Sequence, residues 1–183
     1  MNYATIKNCD IANGPGVRVS LFVSGCTHGC KGCFNEVAWD FNYGQPFTQE
    51  TMDSIVEMLK PSYVKGLTIL GGEPFEPQNQ PAVLELVKLV RETLPEKSIW
   101  AFSGYLFDKQ LLAGRVGEPE ITKALLNRID VLVDGPFIEE KKDLSLRFRG
   151  SSNQRLIDVQ ASLQRGEVVL WQDWQGHERG LIK

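Results

Sequence analysis

Val17-Arg18-Val19-Ser20-Leu21-Phe22-Val23 runs directly into Ser24-Gly25-Cys26-Thr27-His28-Gly29-Cys30-Lys31-Gly32-Cys33. The first seven residues alternate in polarity and are rich in β-branched side chains, which predicts a strand. Gly14-Pro15-Gly16 before it reads as a type II turn with Pro15 and Gly16 in the central places. The next ten residues set three thiols on one tight loop, with glycines that let the chain wrap around an object. Thiolates are soft ligands for zinc or for iron-sulfur clusters. A cubane of four irons takes one ligand per iron, so three cysteines leave one iron open. The alternative at this point is a zinc knuckle, with His28, Cys9 or His177 as fourth ligand. Against it, no second ligand pair follows downstream, as paired Cys-x2-Cys elements would require.

Outward from this stretch, helical and strand patterns alternate. Thr48 is placed to cap a helix from about Gln49 to Lys60, ended by Pro61. Leu67 to Leu70 is a short buried strand that stops at Gly71-Gly72. Pro81 suits the start of a helix that presents Val83, Leu84, Leu86, Val87 and Val90 on one face. Ser98 to Ser103 is a third strand. Short helices at about Leu106 to Ala113 and Pro119 to Arg128 lead to a fourth, Asp130 to Asp134, closed by Gly135-Pro136. The order β-α-β-α-β-α-β predicts an α/β fold with parallel strands and a ligand site at their carboxyl ends. Phe137 to Asn153 reads as a polar loop, followed by a short helix near Asp158 to Gln164 and a last strand at Val168 to Trp171.

The chain has 183 residues, 42% hydrophobic and 23% charged, enough to bury a core and about the size of one domain. No repeat, low-complexity segment or linker marks a second domain, so a single domain over 1–183 is expected, with its core at about 10–155 and an extension over 156–183. The formal charge of -3 gives no basic field for nucleic acid. No apolar run approaches the ~18 residues that span a bilayer, and the start carries no secretory pattern. A cytoplasmic location is expected.

Cys26-x3-Cys30-x2-Cys33 after the first strand resembles the signature of the radical S-adenosylmethionine (SAM) superfamily, and Gly71-Gly72-Glu73-Pro74 is similar to that superfamily's second motif. Asp10 to Arg18, with its Gly-Pro-Gly turn, resembles the segment before the first strand in activases of glycyl radical enzymes. Val131 to Phe137, Arg149 to Arg155, Ser24-Gly25 and Cys33-Phe34-Asn35 are similar to the activating proteins of anaerobic ribonucleoside-triphosphate reductases. Together these segments extend the resemblance from about Asp10 to Arg155. The tail, with Trp171 and Trp174, carries no family motif.

The resemblance implies a short, incomplete β/α barrel. Cys26, Cys30 and Cys33 would hold a [4Fe-4S] cluster, and Gly71, Gly72, Glu73 and Pro74 would receive the amino group of S-adenosyl-L-methionine, with the Glu73 carboxylate as an added acceptor. The family often has an aromatic residue just before the third cysteine, near the adenine. Here that place is Gly32, and Phe34 is expected to take the part. Asp134 would bind the SAM ribose or a cation, or else cap the Gly135-Pro136 turn. The implied partners are the glycyl radical subunit of an anaerobic ribonucleoside-triphosphate reductase and a low-potential electron donor such as flavodoxin or ferredoxin. With so short a chain little sequence remains for a lid, so Gly14 to Gly16 and Arg149 to Arg155 are expected at an open mouth. Other readings are activation of a different glycyl radical enzyme such as a pyruvate formate-lyase, a small-molecule radical SAM reaction, and a zinc-stabilised module without catalysis.

Overall fold

A computed structural model describes residues 1–172. Its strands are β1 (Asn2–Asp10), β2 (Val17–Val23), β3 (Gln45–Pro46), β4 (Val64–Gly71), β5 (Ser98–Ser103), β6 (Val131–Asp134) and β7 (Arg155–Asp158). Its α-helices are α1 (Gln49–Leu59), α2 (Gln80–Thr93), α3 (Pro119–Leu126) and α4 (Val159–Arg165). All seven strands form one sheet in the order β3-β1-β2-β4-β5-β6-β7. The central four, β2, β4, β5 and β6, are parallel. That is the predicted α/β fold, and the open ends of the sheet make it a partial β/α barrel.

The antiparallel flanks depart from the expected order. β1 precedes the strand read as the first and pairs with both β2 and β3. On the other side, β7 pairs antiparallel with β6. Both lie where local patterning is weak. β1 is an outer strand with four exposed residues, so it lacks a clean buried face. The expected last strand is only a bridge from Leu170 to Ile157. It is anchored by Asp158 N donating to Val169 O and Trp171 N donating to Leu156 O. The predicted helix after Leu106 is a single π turn at Phe107–Leu111. Trp174 and His177 lie outside the described residues.

Side chains of the parallel strands divide between two layers, as the period of two requires. Val19, Leu21 and Val23 of β2, with Leu67 and Ile69 of β4, pack under Ile55 and Leu59 of α1 and Val83, Leu86 and Val87 of α2. Thr48 caps α1 as expected, its side chain accepting from Thr51 N. The opposite layer is the barrel interior. Trp100, Val131 and Val133 there meet Phe102, Phe148, Leu156 and Trp171.

Arg18 also points into this interior and is fully buried. A buried charge is tolerated only when its donors are satisfied. Here Nε donates to Thr68 Oγ1 at 2.7 Å, and the two amino groups reach Ser98 Oγ, Leu67 O and Ser98 O at 2.7–3.1 Å. Burial pulls its pKa down to about 10, against the charges of Asp130 and Asp10. Thr68 Oγ1 donates to Asn13 O. Asp10 collects Ser20 Oγ, Ala12 N and Asn13 Nδ2. The segment from Asp10 to Gly14 is thereby laced to the sheet. Gly14 permits it, because a Cβ there would stand 2.7 Å from Arg18 Cδ.

Candidate active site

Four loops leave the carboxyl ends of the parallel strands and meet around one cavity of about 430 Å³, within the range that encloses a cofactor-sized ligand. Cys26, Cys30 and Cys33 line it from the loop after β2, Gly71 and Gly72 from the end of β4, Gly104 from the end of β5 and Gly135 from the end of β6. Ala12 and Asn13 also line it. The laced segment before β2 is therefore part of the site's wall.

The cysteine loop is held open by backbone geometry. Gly25, Gly29 and Gly32 have φ of 97°, 57° and 71°, a region that glycine enters readily. At Gly25 a Cβ would also strike the Phe41 ring at 2.2 Å. Gly25 N donates to Ala38 O, and Glu73 N donates to Gly25 O, so the base of the loop is clamped between the 3-10 turn Glu36–Trp39 and the end of β4. Burial, reinforced by Glu73 and Glu76, pushes the Cys26 thiol up to about 12. Burial likewise raises Cys30, with Cys33 and Glu73 adding to it. A bound cation would reverse that balance, since coordinating thiols deprotonate outright. Among the described residues no three His, Cys, Asp or Glu side chains converge as a single-ion site. A cubane takes its thiolates on separate irons, so three soft donors facing one cavity fit that group without such convergence.

Comparison with known proteins bears directly on this donor set. A family model described as a 4Fe-4S single cluster domain matches residues 12–157. The chain belongs to this family. The anaerobic ribonucleoside-triphosphate reductase-activating protein of Vibrio cholerae serotype O1 is 45% identical over 156 residues, covering 84% of this chain and 96% of the relative. The protein of the same name from Escherichia coli K12 matches with the same identity and coverage. That of Enterobacteria phage T4 is 42% identical over 158 residues, 85% of this chain and 93% of the relative. This 4Fe-4S family member is a radical SAM enzyme, an oxidoreductase, as the motifs implied.

The cavity brings together most of the residues singled out from sequence. Cys26, Cys30, Gly32, Cys33, Phe34, Gly71, Gly72 and Glu73 all line it. Phe34 is 80% exposed, placed at the rim rather than in the wall. Pro74 and Asp134 are not among the lining residues. Asp134 is fully buried. It accepts from Phe107 N at 2.8 Å and from Arg155 Nε and a terminal guanidinium nitrogen at 2.9 and 2.5 Å. A second partner of Arg155 is Asp108, whose carboxyl it holds below the usual aspartate value. Asp134 thus secures β7 and the start of the π turn. Cys9 lies exposed on β1, outside the cavity lining.

Glu73 has protein partners of its own. It is 1% exposed, and both carboxylate oxygens are engaged. Oε1 accepts from Phe75 N at 2.8 Å, while Oε2 accepts from Gly104 N at 2.7 Å and lies 2.9 Å from His28 Nε2. The His28 ring meets the Tyr105 ring edge-on at 4.4 Å. Burial disfavours the His28 imidazolium, but the hydrogen bond and charge of Glu73, with Glu76 beyond, raise its pKa above the ordinary histidine value. Glu73 therefore ties the cysteine loop to the ends of β4 and β5.

Three further residues went unread in the sequence. Glu76 Oε1 accepts from Thr27 N at 2.8 Å and Thr27 Oγ1 at 2.6 Å. Asn79 Nδ2 donates to Ser24 O at 3.0 Å and Glu73 O at 2.9 Å, with Gly25 O at 3.4 Å. Gly104 admits His28, whose ring would lie 2.5 Å from a Cβ there. The available signal was the spacing Glu73-x2-Glu76-x2-Asn79, three polar residues at equal intervals running on from the Gly-Gly pair. Of the two segments expected at the mouth, Arg149 to Arg155 supplies Arg149, Gly150 and Gln154 to the cavity lining, while Gly14 to Gly16 are not among its lining residues. Lys142, Asp143, Leu144, Leu146, Phe148, Arg149 and Gly150 line one side of the cavity. The loop that carries them is closed by a bridge between Lys142 and Ser151.

Proposed function

We propose that this chain activates an anaerobic ribonucleoside-triphosphate reductase. Cys26, Cys30 and Cys33 would hold a [4Fe-4S] cluster, with SAM beside it in the same cavity and a glycine of the reductase as the site of hydrogen abstraction. The observation that carries this reading is the convergence of three thiols and the glycine-bearing ends of β4, β5 and β6 on one cavity of about 430 Å³. When bound and reduced, the cluster would supply the one electron for reductive cleavage of SAM, from which hydrogen abstraction at the partner's glycine would follow. The residues of the chain hold, orient and enclose.

Gly71 and Gly72 offer backbone to the SAM amino group, and the Glu73 side chain, engaged at both oxygens, positions that backbone. Phe34 stands at the rim, where it can cover the adenine. Phe102 and Phe137 give the wall apolar surface that keeps water from the reacting atoms. The electron donor is a low-potential carrier of the flavodoxin or ferredoxin kind, since a SAM-cleaving cluster works from the reducing end of a range reaching about -700 mV. Among the described residues no helix is long and apolar enough to cross a membrane. The reading places the enzyme in the cytoplasm, as a single domain over 1–183 with an extension at 156–183.

The test is anaerobic incubation with SAM, a strong reductant and either the reductase subunit or a pyruvate formate-lyase, followed by electron paramagnetic resonance (EPR). A glycyl radical doublet on the reductase is expected. A doublet only on the formate-lyase would reassign the partner, no protein radical would point to a small-molecule substrate, and colourless protein holding one zinc would overturn the enzyme reading.

A further inference from the structure

Two buried carboxylates flank the cysteine loop, and they differ in what balances them. Glu73 faces His28 at 2.9 Å. Glu76 is 4% exposed, and among the described residues it forms no ion pair with a lysine or arginine. Its hydrogen-bond donors are the backbone and hydroxyl of Thr27, both on Oε1. Thr27 stands in the loop between Cys26 and Cys30. Glu76 thus fixes a buried, unpaired carboxylate against the loop that carries the thiols.

An unpaired buried carboxylate is costly. Anchoring Thr27 does not require one, because a glutamine carbonyl oxygen would accept the same two hydrogen bonds. The charge is what a glutamine would lack. Its field reaches the cavity, since Glu76 Oε1 stands 2.8 Å from the backbone nitrogen of Thr27, the residue bonded to Cys26. A fixed negative charge at short range in a poorly polarisable interior opposes the arrival of an electron. Cluster potentials follow such local charge.

We infer that Glu76 lowers the reduction potential of the cluster held by Cys26, Cys30 and Cys33, so that the reduced protein is a stronger one-electron donor. This rests on the cluster reading above. Glu76 acts through space by its charge, as a potential-setting residue rather than a ligand, and Thr27 serves to hold the carboxylate in place.

The experiment is an EPR-monitored redox titration of the full chain, reconstituted anaerobically without SAM, as wild type, Glu76→Gln, Glu76→Asp and Thr27→Val. Glu76→Gln keeps the acceptor and removes the charge. Its ratio of reduced to oxidised cluster at a fixed potential should rise about tenfold, an upward shift of about 59 mV for a one-electron couple. Glu76→Asp restores the charge and should titrate with wild type. Thr27→Val loses one hydrogen bond and leaves the charge in place, so it should do the same. A Gln variant that titrates with wild type overturns the inference. A Thr27→Val or Glu76→Asp shift as large as that of Glu76→Gln also overturns it, because loop geometry would then set the potential. A folded Gln variant that assembles no cluster also overturns it, because the charge would then serve cluster assembly rather than potential. Wild-type protein that assembles no cluster overturns the cluster reading itself and this inference with it.

Discussion

Replacing Asn79 by alanine should loosen the cysteine loop without touching a thiol. The Asn79 side chain is 1% exposed, and its amide nitrogen bridges Ser24 O and Glu73 O at 3.0 and 2.9 Å. It makes no side-chain cap to α2, so its removal is no test of helix capping. Gly25 O, the third acceptor, keeps Glu73 N as a donor. Glu73 O likewise keeps Glu76 N, so Ser24 O is the carbonyl that loses its donor. An unsatisfied buried group costs about 1–3 kcal/mol, so Asn79→Ala is expected to lose about that much, a sizeable part of the ~5–15 kcal/mol of a typical domain. The Asn79→Asp variant should do no better, because a carboxylate has no hydrogen to donate and would face carbonyl oxygens. The assay is urea unfolding of iron-free protein alongside iron per chain after anaerobic reconstitution. Both should fall together, since Ser24 and Gly25 lead directly into Cys26. An Asn79→Ala protein within about 0.5 kcal/mol of wild type, the range of an ordinary surface change, would refute the reasoning.

Cys26→Ala, Cys30→Ala and Cys33→Ala should each lose bound iron and sulfide, while Cys9→Ala keeps both; chemical analysis of anaerobically purified protein decides this. Gly72→Val should lower stability as well as SAM binding, because a Cβ at Gly72 meets Gly25 O at 2.6 Å and Ala38 O at 2.9 Å, backbone that clamps the cysteine loop. Overpacking of this kind costs about 1–3 kcal/mol, and a variant with wild-type unfolding that fails only in equilibrium dialysis with SAM would contradict it. Acid should weaken the contact of β7 with the π turn. Arg155 depresses the Asp108 carboxyl below 3.8 in the folded chain, so this stabilisation is present above that value and is lost as pH falls through the lower, folded one. Asp108→Asn should flatten the decline of the urea midpoint between about pH 5 and about pH 2; an unchanged slope would count against it.

What could be read from sequence was what is carried by neighbours along the chain. The strand Val17–Val23, the glycines that bend the cysteine loop and the Pro-led start of α2 all depend on local patterning, and all three are present. The edges were harder to read. β1 lies outside the parallel strands with much of its surface in water, so no clean alternation marks it. The four residues of β7, Arg155–Asp158, are too few for a periodic signal. Contacts that depend on distant partners were not legible. Nothing in the local sequence marks that Gly104 N and His28 meet one oxygen of Glu73. Nor does it mark that Arg155 meets Asp134, read as a ligand or a turn cap, across the β6–β7 pair.

Gly72 shows how one motif can carry both readings. Seen along the chain, two glycines at a strand end suggest room for a ligand. In the fold, Gly72 N donates to Val23 O and Glu73 N to Gly25 O, so the same short turn is the seam between β4 and the base of the cysteine loop. Close approach of backbone to backbone and close approach of backbone to ligand make the same demand for a missing Cβ. The residues after it complete the seam. Glu73 reaches the end of β5, Glu76 reaches Thr27, and Asn79 reaches Ser24. The segment from Gly71 to Asn79 therefore sets where the thiols stand relative to the glycine backbone. In the proposed function, cluster and SAM would have to keep a fixed distance through an electron transfer, and a single segment that holds both walls would provide it.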